Sequence, residues 1–116
     1  MVPQLKSKSY LFAIRMVKLM QFLQKEHNEY VLSKQILKSG TAIGALVCEA
    51  EFAQSKADYI HKLSIGLKEA NETCFWLSLL KDTDYIEDNL YMSLDTDCKE
   101  LIALLVSTVK TLKSRD

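Results

Sequence analysis

Proline occurs once and glycine three times in 116 residues. With leucine, lysine, alanine and glutamate prominent, so few helix breakers point to an all-helical chain with short turns. Cysteine is scarce too: Cys48, Cys74 and Cys98 are odd in number, far apart and without Cys-x-x-Cys or Cys/His spacing, which argues against a zinc site. Each lies among apolar neighbours, so three buried free thiols in a reducing cytoplasm are expected. No apolar run reaches the ~18 residues that a membrane span needs, and Lys6, Lys8, Arg15 and Lys18 break the N-terminal region too often for a signal peptide. Net charge is absent as well, at zero, so the protein as a whole is not an electrostatic magnet for nucleic acid.

What is present is an ordinary globular balance, 48% apolar and 26% charged, unlike that of a disordered chain. Residues 1–116 are read as one domain, long enough to bury about two-thirds of the unfolded surface. The charges are unevenly spread. Residues 1–40 carry seven Lys/Arg against Glu26 and Glu29, whereas residues 82–100 carry seven acids against Lys99 alone. Such asymmetry marks either solvated helix faces or a partner surface.

Apolar periodicity places helices at about 8–25, 29–53, 56–81 and 88–112. Ser7 is a candidate N-cap for the first. Its stripe Phe12, Met16, Leu19, Leu23 is flanked by a second, Ala13, Val17, Met20, a face wider than the ~100° a bundle helix needs, so a second contact is expected there. Ser55 with Asp58 three positions on has a capping-box pattern. In the third helix Ile60, Leu63, Leu67, Ala70, Cys74 and Leu77 recur as a bundle seam. Leu94, Cys98, Leu101, Leu105 and Leu112 give the fourth its core face. Short connections force neighbours to be antiparallel, so the predicted architecture is all-α, an antiparallel up-down-up-down four-helix bundle.

Gly40 and Gly44 lie on one face of the second helix, and each costs about 1 kcal/mol against alanine in a helix interior. A chain that keeps both needs another backbone close by. If helices two and three fold back about Gln54, Gly44 and Gly66 come level and let those helices touch; alternatively Gly40 and Gly44 face a neighbouring subunit.

The strings LSKQILKSGTAIGA from Leu32, Glu49-Ala50, SKADYIHKL from Ser55, Leu67-Lys68-Glu69-Ala70-Asn71-Glu72-Thr73 and Trp76-Leu77 together resemble the four-helix bundle protein family. That family is also called the 23S ribosomal RNA intervening sequence protein family, and its distant relatives include the accessory variability determinants of diversity-generating retroelements. The resemblance spans residues 10–81 and is structural rather than catalytic. It implies a cytoplasmic bacterial homo-oligomer, a pentameric ring around a central channel, without enzymatic activity. Some members are encoded within sequences inserted into 23S ribosomal RNA genes, and the retroelement relatives are basic and work with a reverse transcriptase and RNA. Leu46 stands where family members commonly carry Asn.

No constellation of reactive residues is evident. Glu49, Glu51, Glu69 and Glu72 lack the Glu-x-x-His pairs of di-metal bundles, and read as surface charges. Ser33, Ser39, Ser55 and Ser64 have no nucleophile-elbow context. His27 reads as a solvated turn residue and His61 as a partly buried imidazole without a ligand partner at i+3 or i+4. No catalytic residue, metal or cofactor is therefore expected. On an antiparallel bundle, however, Lys6, Lys8, Lys56, Lys62, Lys110, Lys113 and Arg115 gather at one end, with Glu26, Glu29 and the acids of 82–97 at the other. In a ring of parallel subunits the basic ends form one rim, a target for RNA or DNA. Tyr10 and Phe12 nearby are candidates for base stacking or for the core. The competing reading is a module that docks a partner protein at its acidic end or apolar face.

Overall fold

A computed structural model describes residues 3–115. They form four helices, α1 (Pro3–His27), α2 (Leu32–Glu51), α3 (Lys56–Asp82) and α4 (Asp88–Ser114), and no strand occurs among them. Helix α1 starts at Pro3 rather than near Lys8, because a proline at the first helical position gives up only an amide that would be orphaned anyway. Ser7 is consequently not a cap. It sits inside the helix with its hydroxyl donating to the carbonyls of Pro3 and Gln4 at 3.2 and 3.3 Å.

Beyond α1, Asn28 takes a left-handed φ of 51°, a conformation its short amide side chain tolerates. Helix α2 begins at Leu32, later than expected, because Glu29 stays outside as its cap. The Glu29 carboxylate accepts from the amides of Val31, Leu32 and Ser33 at 3.3, 3.0 and 2.7 Å. Burial pushes this carboxyl up, but the Leu32, Ser33 and Val31 amides together outweigh it and hold its pKa below the ordinary 4.5. Helix α2 also stops before Ala53, since the Phe52 and Ala53 amides donate back to Glu49 and Ala50 at 3.1 Å. Ser55 caps α3 as its spacing predicts: its hydroxyl accepts from the Asp58 amide at 3.0 Å, and the Asp58 carboxylate accepts from the Gln54 amide at 3.2 Å. Helix α3 closes with Asp84 at φ 66°, its amide donating to Lys81 and that of Tyr85 to Leu80, the paired back-bonds of a Schellman motif.

Neighbouring helices run in opposite directions. Between α1 and α2, Lys6 meets Glu51 at one end and Gln24 meets Ser33 at the other. Between α2 and α3, Leu46 lies beside Gly66 and Ser39 meets Thr73. Between α3 and α4, Cys74 meets Cys98 and Ser78 meets Tyr91. Lys8 with Glu100 and Arg15 with Asp97 close the circuit between α1 and α4. The result is the expected up-down-up-down bundle, 49 Å long and about 20 Å across. The α1–α4 seam is the most open of the four and is fastened by those two ion pairs.

The core follows the sequence period. Phe12, Met16, Leu19 and Leu23 of α1, Leu63, Ala70 and Leu77 of α3, and Leu94, Leu101 and Leu105 of α4 are all buried. Leu67, Cys74 and Leu112 on the predicted seams are only half-buried. Gly40 and Gly44 are packed against α1, not α3: a methyl carbon at Gly40 would overlap Met16, and one at Gly44 would lie 3.2 Å from the Ser9 carbonyl oxygen. Gly66 instead faces Leu46 and Leu105 at 3.8 and 3.9 Å, ordinary contact distances. The expected meeting of Gly44 with Gly66 therefore does not occur. Height along a bundle follows from residue count, whereas the rotation of each helix about its axis decides which neighbour a glycine faces.

Candidate nucleic-acid interface

The topology gathers the first turns of α1 and α3 with the last turns of α2 and α4, so six of the seven predicted basic residues reach one end. Lys8 lies further along, beside Glu100 of mid-α4, with its ammonium 3.0 Å from that carboxylate. Lys6 is likewise engaged, 3.0 Å from Glu51, and the Glu51 hydrogen bond and charge hold its ammonium above the ordinary lysine value. These two therefore do not serve as open cations, because carboxylates of α2 and α4 meet them across the helix seams. Glu49, Glu51 and Asp58 share this end as well, so its charge is mixed. Of the other basic residues, Lys56 in the first turn of α3 has an interaction of its own, half-buried Lys62 lies in the second turn, and Lys110, Lys113 and Arg115 surround the C-terminal end of α4.

Lys56 and Arg115 border an open cleft of about 650 Å³ between the α2–α3 corner and the end of α4, a volume in the range of small-ligand sites. Its floor is apolar, with Ala50, Leu104 and Leu112, and Ser107, Thr111 and Tyr59 supply hydroxyls. Burial, and then the Glu51 carboxylate, raise the pKa of the Tyr59 phenol, so at neutral pH it keeps its proton. On the other side of the same corner Phe52 is 83% exposed, next to Lys62 and Cys48 in a shallow groove. Sequence reasoning missed Phe52. The available signal was an aromatic residue directly before the Ala53-Gln54-Ser55 corner, where no helix face remains to bury it. Of the two aromatics proposed instead, Tyr10 is 67% exposed, whereas Phe12 is core.

The other candidates separate clearly. His27 is not merely solvated: its ring lies edge-on between Phe22 and Tyr85, each centroid 5.4 Å away. His61 is exposed, not half-buried. Cys48 is exposed, Cys74 intermediate and Cys98 buried, all three free, so the expectation of three buried thiols holds for one. Cys48 fails it because it sits on the outer face of α2, off the stripe that Ile43, Val47 and Ala50 bury. Among the described residues no group of three potential ligands could hold a metal ion, and no helix is long and apolar enough to cross a membrane.

Helix order, seams and ends place the chain among the antiparallel four-helix bundles. It belongs to the 23S rRNA-intervening sequence protein family, whose model matches residues 4–107. A crystal structure of a protein of unknown function from the S23 ribosomal protein family of Bacteroides thetaiotaomicron is similar to it, with a TM-score of 0.91 and 55% sequence identity over 91% of this chain and 98% of that one. No curated protein matches it.

Proposed function

We propose that this chain is a non-enzymatic, homo-oligomeric scaffold of the bacterial cytoplasm that binds structured RNA through its basic end. The observation that carries this reading is the coincidence, at one end, of Lys56, Lys62, Lys110, Lys113 and Arg115 with an exposed Phe52 and a nucleotide-sized cleft. Phosphates call for cations, and unpaired bases for a flat apolar face; both are offered together. The family takes its name from sequences that intervene in 23S rRNA, which makes that RNA the ligand to test first. The zero net charge keeps sequence-independent binding weak and leaves recognition to this end.

Self-association into a pentameric ring strengthens the reading, because a modest patch repeated around a rim gains avidity. Tyr10, Leu11 and Val17 leave an apolar face of α1 exposed. Beside it a groove of about 620 Å³ runs over Gly44, lined by Pro3, Tyr10, Ala13, Ala45 and Cys48. An exposed face of this kind is the natural contact for a second copy, and native mass spectrometry tests it.

Binding of the full chain to 23S rRNA fragments, measured at two salt concentrations, tests the RNA reading. Salt-sensitive binding that Lys110→Glu with Lys113→Glu abolishes supports it; salt-insensitive binding, or binding indifferent to those changes, sinks it. One observation favours a second reading, a basic partner peptide at the acidic end. There a recess of about 750 Å³ joins the His27 and Tyr85 rings to Asp84, Glu87 and Asp88.

A further inference from the structure

The bundle brings together two thiols that its helix packing does not require to meet. Cys74 of α3 and Cys98 of α4 are separated by 24 residues in sequence, and their sulfurs lie 3.3 Å apart. Cys98 is fully buried, and its sulfur also lies 3.3 Å from the Ala70 carbonyl oxygen. That second contact shows that α4 already approaches the backbone of α3 here, because Ala70 keeps the gap between them narrow. Cys74 is half-buried, and the exposed Lys99 lies near it, tied to Asp95 at 2.9 Å. The two sulfurs thus differ in access: one can meet a small solute, and the other stands directly behind it.

We propose that Cys74 and Cys98 form a peroxide-sensitive dithiol, Cys74 being the sulfur that reacts and Cys98 the one that resolves it into an intramolecular disulfide joining α3 to α4. A disulfide needs its sulfurs at about 2.05 Å, so closure draws them together by roughly 1.2 Å. The electrostatics agree with this division of roles. The Cys98 hydrogen bond lowers the Cys74 pKa against the opposing effects of burial and Asp95, with Lys99 assisting. The same hydrogen bond and burial raise that of Cys98. As Cys74 ionises, the Cys98 S–H turns from the Ala70 carbonyl to the new thiolate.

The chemistry balances with a hydroperoxide as oxidant. The Cys74 thiolate attacks one peroxide oxygen, the O–O bond breaks, and the other oxygen leaves as an alcohol, or as water from hydrogen peroxide, after taking a proton from solvent. Sulfur is oxidised by two electrons to the sulfenic acid while the peroxide is reduced. The Cys98 sulfur then attacks the sulfenic sulfur, its proton leaves with the hydroxyl as water, and the S–S bond forms. A thiol reductant reverses the step by attacking at Cys74, the accessible sulfur. Reversible disulfides of this kind are the ones found in reducing compartments.

The test uses the full reduced chain with near-stoichiometric hydrogen peroxide at neutral pH, alkylation of remaining thiols, and mass mapping of a non-reducing digest. The expected result is loss of two of the three alkylatable thiols, a Cys74–Cys98 link within one chain, an alkylated Cys48, and full recovery with dithiothreitol. In urea the preference for this pair should vanish. The Cys98→Ser variant should stop at a Cys74 sulfenic acid trapped by dimedone, and Cys74→Ser should leave Cys98 unmodified. Oxidation confined to Cys48, links between chains through Cys48, or a Cys74–Cys98 link that forms equally fast in urea would each overturn the proposal. The wild-type mapping decides the matter even if a variant folds poorly.

Discussion

An alanine at each of the three glycines places the same methyl group in three different surroundings. At Gly40 the new carbon overlaps Met16 Cγ and lies 2.6 Å from its sulfur and 3.2 Å from its Cβ. Met16 is fully buried, so its side chain cannot swing into solvent, and overpacking of this kind costs about 1–3 kcal/mol. The intrinsic helix gain of about 1 kcal/mol returns part of that, leaving a net loss of roughly 1 kcal/mol. At Gly44 the neighbour is the Ser9 carbonyl oxygen at 3.2 Å. The α1 backbone must yield by a few tenths of an ångström, and the two effects come close to cancelling. At Gly66 the nearest atoms are 3.8 and 3.9 Å away, nothing opposes the helix gain, and the protein becomes more stable by about 1 kcal/mol. For a chain of this size that difference moves the melting temperature by about 3–6 °C. Thermal melts followed by far-UV circular dichroism at one fixed protein concentration should rank the variants Gly66→Ala, Gly44→Ala, Gly40→Ala from most to least stable. Fixing the concentration removes the mass-action effect of assembly. A Gly66→Ala loss as large as that of Gly40→Ala would refute the reasoning, because the bundle offers nothing at Gly66 for a methyl group to strike.

Glu29→Ala removes the carboxylate that caps α2 and should cost about 1 kcal/mol at neutral pH, as loss of an N-cap does. Since the folded pKa of Glu29 lies below its ordinary 4.5, its contribution is complete above that value and fades as pH falls through the folded pKa. Urea titrations at several pH values should therefore show wild type and variant converging in acid; a constant gap would refute the charge-assisted cap. Asp84→Gly relieves a left-handed non-glycine residue at the end of α3 and should raise stability by about 1 kcal/mol in the same titrations, whereas a loss would show that the Asp84 side chain holds the turn.

The fold was legible because its determinants are local. The stripe Phe12, Met16, Leu19, Leu23 and the seam Leu63, Ala70, Leu77 are buried as their spacing requires, and Ser55 with Asp58 starts α3 by contacts within four residues. What escaped depends on tertiary geometry or on a residue of ambiguous habit. Glu29 is a good helix former, so it read as the first residue of α2 rather than as a carboxylate outside it. Pairs such as Lys6 with Glu51 and Lys8 with Glu100, 45 and 92 residues apart, follow from helix rotation and not from any local pattern. The Cys74–Cys98 meeting was within reach: folding α3 and α4 back about the turn after Asp82 brings both to similar heights. Each sulfur taken singly has the spacing of a core residue, and only the fold-back of α3 on α4 makes them a pair.

The basic end has two physical explanations, and the antiparallel topology allows them to be separated. Two helix N-termini and two C-termini meet there, so the helix dipoles nearly cancel and side chains set the local sign. Lys113 occupies the last turn of α4, where a cation stabilises the helix by about 0.3–1 kcal/mol whether or not any ligand exists. Its presence alone therefore says little about binding. Lys56 opens α3, where the helix dipole disfavours a cation, so the dipole does not account for the charge at that position. It also borders the cleft together with Arg115. In the RNA titrations Lys56→Gln is the sharper companion to the Lys110 and Lys113 reversals. It should lower the slope of log affinity against log salt by about 0.7–0.9, the contribution of one phosphate contact. A slope untouched by Lys56→Gln, with RNA still bound, would move the interface away from the cleft; no binding in the wild type would leave the basic end as solvated helix termini.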